Sequence, residues 1–148
     1  MTRDPRTCAP ATDLATVAAL MLDGDCGILP IVDNAKVVGV VTDRDLYIAL
    51  ATRNQRASEV TVREVAQSPA VTCGPDVDVY TALAIMKRHL IRRLPVEGPG
   101  GSVLGVISMN DLLLAAGTQK LVREVAVTEV LRAICAHHHP QPPQLTAT

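Results

Sequence analysis

The sequence of 148 residues has the length of one globular domain, and its formal net charge of −1 provides no basic field to attract a nucleic acid. There is no Phe or Trp and there are two Tyr, so the aromatic platforms of single-strand nucleic-acid binders are missing. No apolar run approaches the roughly 20 residues of a membrane span, and the polar N-terminus is unlike a signal peptide. We therefore expect a cytoplasmic protein with no nucleic-acid or membrane partner.

The first third of the chain predicts two helices around a β-hairpin. Apolar residues at helical spacing follow Thr12 and Asp13, either of which can cap the helix start. Two β-branched runs around a short turn then predict paired strands. The predicted elements are a helix over 13–23, strands over 28–32 and 37–41, and a helix over 43–52.

The rest of the chain predicts the same order of elements, followed by an additional helix. Helical spacing of apolar residues also marks the segment after the last strand. The final residues are polar and rich in Pro, which predicts a disordered tail. The predicted elements are a helix over 77–89, strands over 92–96 and 103–107, a helix over 109–116, a C-terminal helix over 118–136 and a tail over 137–148.

An internal repeat explains this order. The octet GVVTDRDL at 39–46 returns as GVISMNDL at 105–112, and TCAP at 7–10 returns as TCGP at 72–75. The offset between matching residues is 65 and becomes 66 after one insertion in the hairpin turn, where length changes are tolerated. We expect an α+β fold of two β-α-β-β-α units, 1–56 and 57–117, that share one core about a pseudo-twofold axis.

The octet admits two interpretations. Thr42 stands where a helix cap belongs, and exposed N–H groups at a helix start favour an anion, while Asp45 one turn later can accept hydrogen bonds from ribose hydroxyls. Ser108 and Asp111 repeat this arrangement. A hydroxyl residue followed three positions later by an acid is also a capping box, so both pairs have a purely structural alternative.

The repeated TCxP segments, the LPIV and RLPV strands and the octets together resemble a tandem pair of CBS domains, the Bateman module. The resemblance covers residues 5–50 and 70–116 and includes stand-alone bacterial pairs of the hypoxic response type. It implies a homodimer and an adenosyl ligand such as AMP, ADP, ATP or S-adenosylmethionine in a cleft between the repeats. It also implies a set of ligand-binding residues: Thr7, Leu29, Pro30, Thr42, Arg44, Asp45, Thr72, Leu94, Pro95, Ser108 and Asp111.

The two repeats differ before their Leu-Pro strands. The second repeat has Arg92 and Arg93 there, whereas the first has Gly27 and Ile28. In CBS pairs, basic residues at this place often reach ligand phosphates, so the resemblance implies an asymmetric module that holds phosphate at the second repeat. The alternative is a solvated helix end, where the dipole favours cations.

Three further expectations complete the sequence-based view. VTVREVA at 60–66 leads the second repeat, and the first repeat is N-terminally short of the matching segment. Cys135 and the neighbouring histidines lack the convergent spacing of a metal site, so we expect no metal and no resident cofactor. No nucleophile–base constellation or Walker loop points to an enzyme, which leaves a nucleotide-binding regulatory module, with a stress role by analogy, or a ligand-free interaction module.

Overall fold

The computed structural model describes residues 1–119 and 122–138. These residues form two compact units whose boundaries differ from those of the sequence repeats. The first unit comprises residues 1–76 and 95–107, and the second comprises residues 77–94 and the chain from residue 108 onward.

The predicted elements are present in the predicted order. The helices are α1 (Leu14–Asp23), α2 (Asp43–Arg53), α3 (Val79–His89), α4 (Met109–Gln119) and α5 (Glu124–His138). The strands are β1 (Thr2–Arg3), β2 (Ile28–Asp33), β3 (Lys36–Thr42), β4 (Arg93–Glu97) and β5 (Val103–Ser108). β2 and β3 form an antiparallel hairpin, and β1, β5 and β4 form a sheet in that order.

A short segment pairs with each hairpin in the first unit. The N–H and the carbonyl of Gln67 each bond to Val40 in β3, at 3.1 Å. Thr2 of the first repeat pairs with Val106 in β5 of the second repeat. Gln67 and Thr2 match at an offset of 65, and their partners match at 66. The residues before the TCxP segment of each repeat therefore pair with the hairpin of the other repeat, which the sequence did not predict.

This exchange explains the glycine that opens each octet. A Cβ on Gly39 would lie 2.7 Å from the Gln67 carbonyl oxygen, and a Cβ on Gly105 would lie 2.7 Å from the Thr2 carbonyl oxygen. Both distances are shorter than a carbon–oxygen contact allows, so any side chain there would push away the crossing strand. The two glycines thus preserve equivalent close approaches of backbone.

The two TCxP segments also make equivalent contacts. The Cys8 N–H donates to the Pro30 carbonyl at 3.1 Å, and the Cys73 N–H donates to the Pro95 carbonyl at 3.1 Å. The Cys8 carbonyl accepts a hydrogen bond of 2.8 Å from the Val32 N–H, and the Cys73 carbonyl accepts one of 2.8 Å from the Glu97 N–H. Both thiols are free and buried, and burial raises the pKa of Cys8 to about 11 and raises that of Cys73.

The second unit is a group of three helices. α5 packs on both α3 and α4, and it buries an apolar face that includes Val127, Val130 and Ile134. The predicted start of this helix at residue 118 was wrong: α4 continues to Gln119 and α5 begins at Glu124. Apolar spacing continues across the break without a proline, so periodicity alone did not locate it. Residues 139–148 of the predicted tail lie outside the described part of the chain.

No helix among the described residues is long and apolar enough to cross a membrane.

Candidate functional site

The first unit contains a cavity of about 200 Å³ beside the first hairpin. One wall is β2 and β3, and the opposite wall is the leading segment of the second repeat. Gly39 keeps the hairpin backbone bare, and the paired bonds between Val40 and Gln67 hold the two walls together. The lining residues are Pro10, Ile31, Asp33, Val38, Gly39, Val62, Arg63, Ala66 and Ser68.

Apolar side chains form most of this lining, and three polar residues complete it. The Ser68 hydroxyl donates to the Val38 carbonyl at 2.9 Å. Asp33 is exposed and accepts a bond from the Asn34 amide at 3.3 Å. The Arg63 guanidinium is exposed and has no hydrogen bond or ion pair with any residue that the structure describes. The cavity therefore combines an apolar interior with a cation that is available to a ligand.

The predicted Thr42–Asp45 pair lies next to the cavity wall and forms a complete capping box. The Thr42 N–H and hydroxyl both donate to Asp45 Oδ2, at 2.8 and 2.7 Å, and the Asp45 N–H donates to Thr42 Oγ1 at 3.3 Å. Gln67 Nε2 donates to Asp45 Oδ1 at 3.3 Å. Asp45 is thus linked through one side chain to the segment that lines the cavity, whereas Arg44 is exposed.

The second unit holds the matching pair and the predicted cations. The Ser108 N–H and hydroxyl donate to Asp111 Oδ2, both at 2.8 Å, and the Asp111 N–H donates to Ser108 Oγ at 3.1 Å. The Arg92 carbonyl accepts a bond of 2.9 Å from Met109, the first residue of α4. Arg92 is exposed and Arg93 is half-buried, and neither guanidinium has a partner among the described residues.

Other predicted residues have structural roles in this structure. Leu29 and Leu94 are 0% exposed, and Pro30 and Pro95 are likewise fully buried in the core. None of these four lines the described cavity. The β2 residues that line it are Ile31 and Asp33.

The two TCxP threonines also lie apart from the cavity lining. Thr7 is exposed, and the Thr72 hydroxyl donates to Glu97 Oε2 at 2.7 Å. The predicted site residues are therefore distributed among the core, two capping boxes and exposed positions rather than gathered around this one cavity.

Arg63, Ala66 and Ser68 were absent from the predicted site. Arg63 and Ala66 belong to the leading segment, and Ser68 follows it. This segment was recognised as a repeat element but was not assigned to the opposite hairpin. The alignment of the repeats contained the signal for this assignment. Gln67 and Thr2 occupy matching positions in the two repeats, and the carbonyl of each lies against an octet glycine. Among residues 1–119 and 122–138, no group of three or more His, Cys, Asp or Glu side chains is arranged to hold a metal ion.

Comparisons with known proteins all point to the same family. The CBS-domain profile matches residues 1–52 and 62–117. The CBS domain-containing protein YhcV of Bacillus subtilis is 33% identical over 113 residues, which cover 76% of this chain and 79% of that protein. The chain spans 57% of an uncharacterized Methanopyrus kandleri protein and 21% of the inosine-5′-monophosphate dehydrogenase of Thermoplasma acidophilum, which are 30% and 32% identical.

Solved structures share the fold. Hypoxic Response Protein I, solved with two coordinated zinc ions, superposes with a TM-score of 0.69 at 24% identity, over 77% of this chain and 92% of that chain. The CBS-domain pair of MJ0100, in complex with 5′-methylthioadenosine and S-adenosyl-L-methionine, gives 0.70 at 24% identity, over 80% and 93%. CBSX2 in complex with AMP gives 0.70 at 22% identity, over 81% and 94%. With two profile matches that cover most of its length, the chain belongs to the CBS-domain family and carries two CBS domains in tandem.

Proposed function

We propose that this CBS pair is a regulatory module that binds an adenosyl ligand, AMP, ADP, ATP or S-adenosylmethionine, in the cavity beside the first hairpin. The observation that carries the proposal is an apolar cavity bordered by Arg63, a cation without a described partner. Two proteins of the same fold were solved with AMP and with S-adenosyl-L-methionine, which identifies the class of ligand to test.

The size of the cavity supports a mode of binding in which only part of the ligand lies inside it. Its volume of about 200 Å³ is below the roughly 300–1,000 Å³ of pockets that enclose a whole drug-sized ligand. A flat base fits the space between the hairpin and the leading segment, and the remainder of the ligand extends past the rim. Arg63 then meets a phosphate or carboxylate, because a guanidinium pairs with either through parallel hydrogen bonds.

Isothermal titration with the four ligands tests the cavity. Ala66→Leu adds volume to the wall and is expected to weaken binding at least ~10-fold, because the larger side chain fills space that the ligand would occupy. Ala84→Leu makes the same change at an exposed position on α3 and should bind as the parent does. If Ala66→Leu binds every ligand normally while it remains folded, the cavity is not the site.

Arg63→Ala separates base binding from charge recognition. Relative to the parent, this variant is expected to lose more affinity for ATP than for adenosine, because only ATP loses a charge-assisted bond. Arg132→Ala, an exposed cation on α5, is the matched control.

The second repeat supplies a separate proposed phosphate site at Arg92 and Arg93, near the first turn of α4. Arg93 is the stronger candidate, since a half-buried guanidinium without a described partner is better satisfied by an anion. Titration of Arg93→Ala with AMP and ATP tests it, and unchanged affinity would remove Arg93 from the site.

We also propose that the module works as a homodimer in the cytoplasm, with a stress-related role as the broader setting. Both octet helices expose large apolar side chains: Tyr47 is 74% exposed on α2, and Leu113 and Leu114 are 48% and 70% exposed on α4. Apolar patches of this kind mark interaction surfaces. Sedimentation equilibrium measures the association, and a monomer at micromolar concentration would contradict it.

The alternative is a ligand-free interaction module. The two complete capping boxes favour it, because each explains its octet without a ligand. A thermal-shift panel distinguishes the alternatives, since a ligand at 100-fold excess over its Kd stabilises by about 2.7 kcal/mol. No shift with any adenosyl ligand would support the interaction module.

A further inference from the structure

We propose that the cavity beside the first hairpin selects ligands that carry an α-amino acid head group, which is an ammonium and a carboxylate on one carbon. The selecting groups are the Asp33 carboxylate and the Arg63 guanidinium, which line the cavity from opposite walls. The inference rests on the proposed function and names the class of ligand. Among the four adenosyl ligands, S-adenosylmethionine has this head group, whereas AMP, ADP and ATP have phosphates in its place.

The local backbone fixes the position of the carboxylate. Asp33 is the last residue of β2 and pairs with Lys36, the first residue of β3. Asn34 and Ala35 between them both have positive φ, the conformation of tight two-residue hairpin turns. The Asn34 amide donates to Asp33 Oδ1 at 3.3 Å. The second carboxylate oxygen can therefore accept a hydrogen bond from a ligand.

Lys36 does not neutralise this carboxylate, although it lies opposite Asp33 in the hairpin. Its stem packs on the turn after β4, where a Cβ on Gly101 would lie 3.0 Å from Lys36 Cγ. In the described part of the chain, neither Lys36 nor Arg63 forms an ion pair with Asp33. The cavity therefore has a carboxylate that can pair with a cation of the ligand.

The Arg63 guanidinium is likewise not neutralised by the acid next to it. The Glu64 carboxylate accepts from the Thr61 N–H and hydroxyl at 2.7 and 2.8 Å, and from Arg53 Nη1 at 3.3 Å. The Arg63 N–H donates to the Pro10 carbonyl at 2.9 Å, which holds the backbone of Arg63 at the cavity wall. The guanidinium therefore keeps its charge for the anionic group of a ligand.

Two opposite charges beside an apolar interior match an amino acid head group on an apolar body. The ammonium of such a ligand donates to Asp33, and its carboxylate accepts paired N–H bonds from Arg63. A polyphosphate gains only the contact with Arg63 and is repelled by Asp33, because like charges that face each other are unfavourable. The cavity thus combines an attraction for one class of ligand with a repulsion of the other, as specific sites do.

Isothermal titration of the parent with S-adenosylmethionine, 5′-methylthioadenosine and ATP tests this selection. 5′-Methylthioadenosine keeps the base, the ribose and the sulfur but lacks the head group. It should bind at least ~10-fold more weakly than S-adenosylmethionine, because it forms neither charge-assisted contact. ATP should also bind more weakly than S-adenosylmethionine. If either compound binds as tightly as S-adenosylmethionine, the inference is overturned while the adenosyl-binding function stands.

Reversing the charge at position 33 should reverse the preference. We expect Asp33→Lys to bind S-adenosylmethionine about 10-fold more weakly and ATP about 10-fold more tightly than the parent, because the new cation repels the ammonium and attracts phosphate. Asp76→Lys, which changes an exposed acid outside the cavity lining, is the matched control. An unchanged preference in a folded Asp33→Lys variant would contradict the inference.

Free methionine distinguishes a failure of this inference from a failure of the proposed function. It carries the same head group on an apolar thioether and has no adenosine. If methionine binds, if Asp33→Lys and Ala66→Leu each weaken that binding, and if no adenosyl ligand binds, then the head-group selection is correct and the adenosyl-binding function is wrong. If neither methionine nor any adenosyl ligand binds, both are wrong.

Discussion

The two hairpins share one backbone contact and differ in the side chains around it. Gly39 accepts the close approach of Gln67, and Gly105 accepts that of Thr2. A Cβ at either position would lie 2.7 Å from the carbonyl oxygen opposite it. Around the first contact lies a cavity with Arg63 at its edge. Before the second hairpin the chain carries Arg92 and Arg93 instead. The duplication thus preserves the backbone geometry, while charge is placed differently in each copy.

The largest expected effect on stability is that of replacing Gly39, and it tests whether the two glycine contacts are equally rigid. Gly39→Ala places a methyl group against the Gln67 carbonyl, which paired bonds to Val40 hold in place, and Ile31 crowds it from the other side at 3.2 Å. We expect a loss of about 3 kcal/mol in the free energy of unfolding, as for overpacked cores. Urea denaturation measures it.

Gly105→Ala is the matched variant for the second hairpin. Its methyl group meets Thr2 and the flexible Met1 side chain, and β1 has two residues, both exposed. This strand can move aside with few lost contacts, so we expect a loss of about 1 kcal/mol. Equal losses at the two glycines would show that β1 is as firmly held as the segment around Gln67.

The difference between the hairpins also shows what sequence reasoning can reach. Helix and strand positions were predictable because apolar periodicity and the repeat support each other, as for α1 and β3. The two-residue strand β1 carries no periodic signal, and its partner lies about 100 residues away. The cavity depends on the same exchange, so Arg63 and Ala66 could not be assigned to it from neighbouring residues alone.

The capping boxes provide a smaller test of equivalence. Thr42→Ala and Ser108→Ala each remove the hydroxyl that accepts from the N–H three residues later. We expect each to lower the free energy of unfolding by about 1 kcal/mol, the usual effect of losing a helix cap. Thr52→Ala, at an exposed position late in α2, is the control. If only Thr42→Ala is destabilising, the two caps are not equivalent in the folded chain.

Acid titration compares the caps of α1 and α3, which match at an offset of 65. Backbone and hydroxyl bonds from Thr16 lower the pKa of Asp13, and hydroxyl and backbone bonds from Thr81 lower the pKa of Asp78. A folded pKa below the unfolded value of about 3.9 gives stability that is present above that pH and lost as pH falls through the folded pKa.

We expect Asp13→Asn and Asp78→Asn to flatten the fall of the melting temperature between about pH 5 and pH 3, because neither variant retains the titrating group. Both slopes should change in the same direction, since both caps accept from a threonine hydroxyl three residues later. An unchanged slope in either variant would mean that its carboxylate titrates alike in the folded and unfolded chains. Two-dimensional NMR titration of the carboxyl groups gives the same answer directly.

The smallest expected effect concerns the two equivalent thiols. Burial raises the pKa of Cys8 from 9.0 to about 11 and also raises that of Cys73, so the folded chain keeps both protonated where the unfolded chain ionises. This contribution to stability is complete below the unfolded pKa and is lost as pH rises toward the folded pKa, between 9 and about 11 for Cys8. Cys8→Ala should therefore flatten the alkaline limb of the stability curve.

Alkylation at pH 8 examines the same burial without unfolding the chain. The exposed Cys135 should react first, and Cys8 and Cys73 should react together and slowly, because attack requires an accessible thiolate. If Cys73 reacts much faster than Cys8 in the native chain, the second TCxP segment opens more readily than the first. The difference between the two hairpins would then include β2 and β4, the strands to which the Cys8 and Cys73 backbones are hydrogen-bonded.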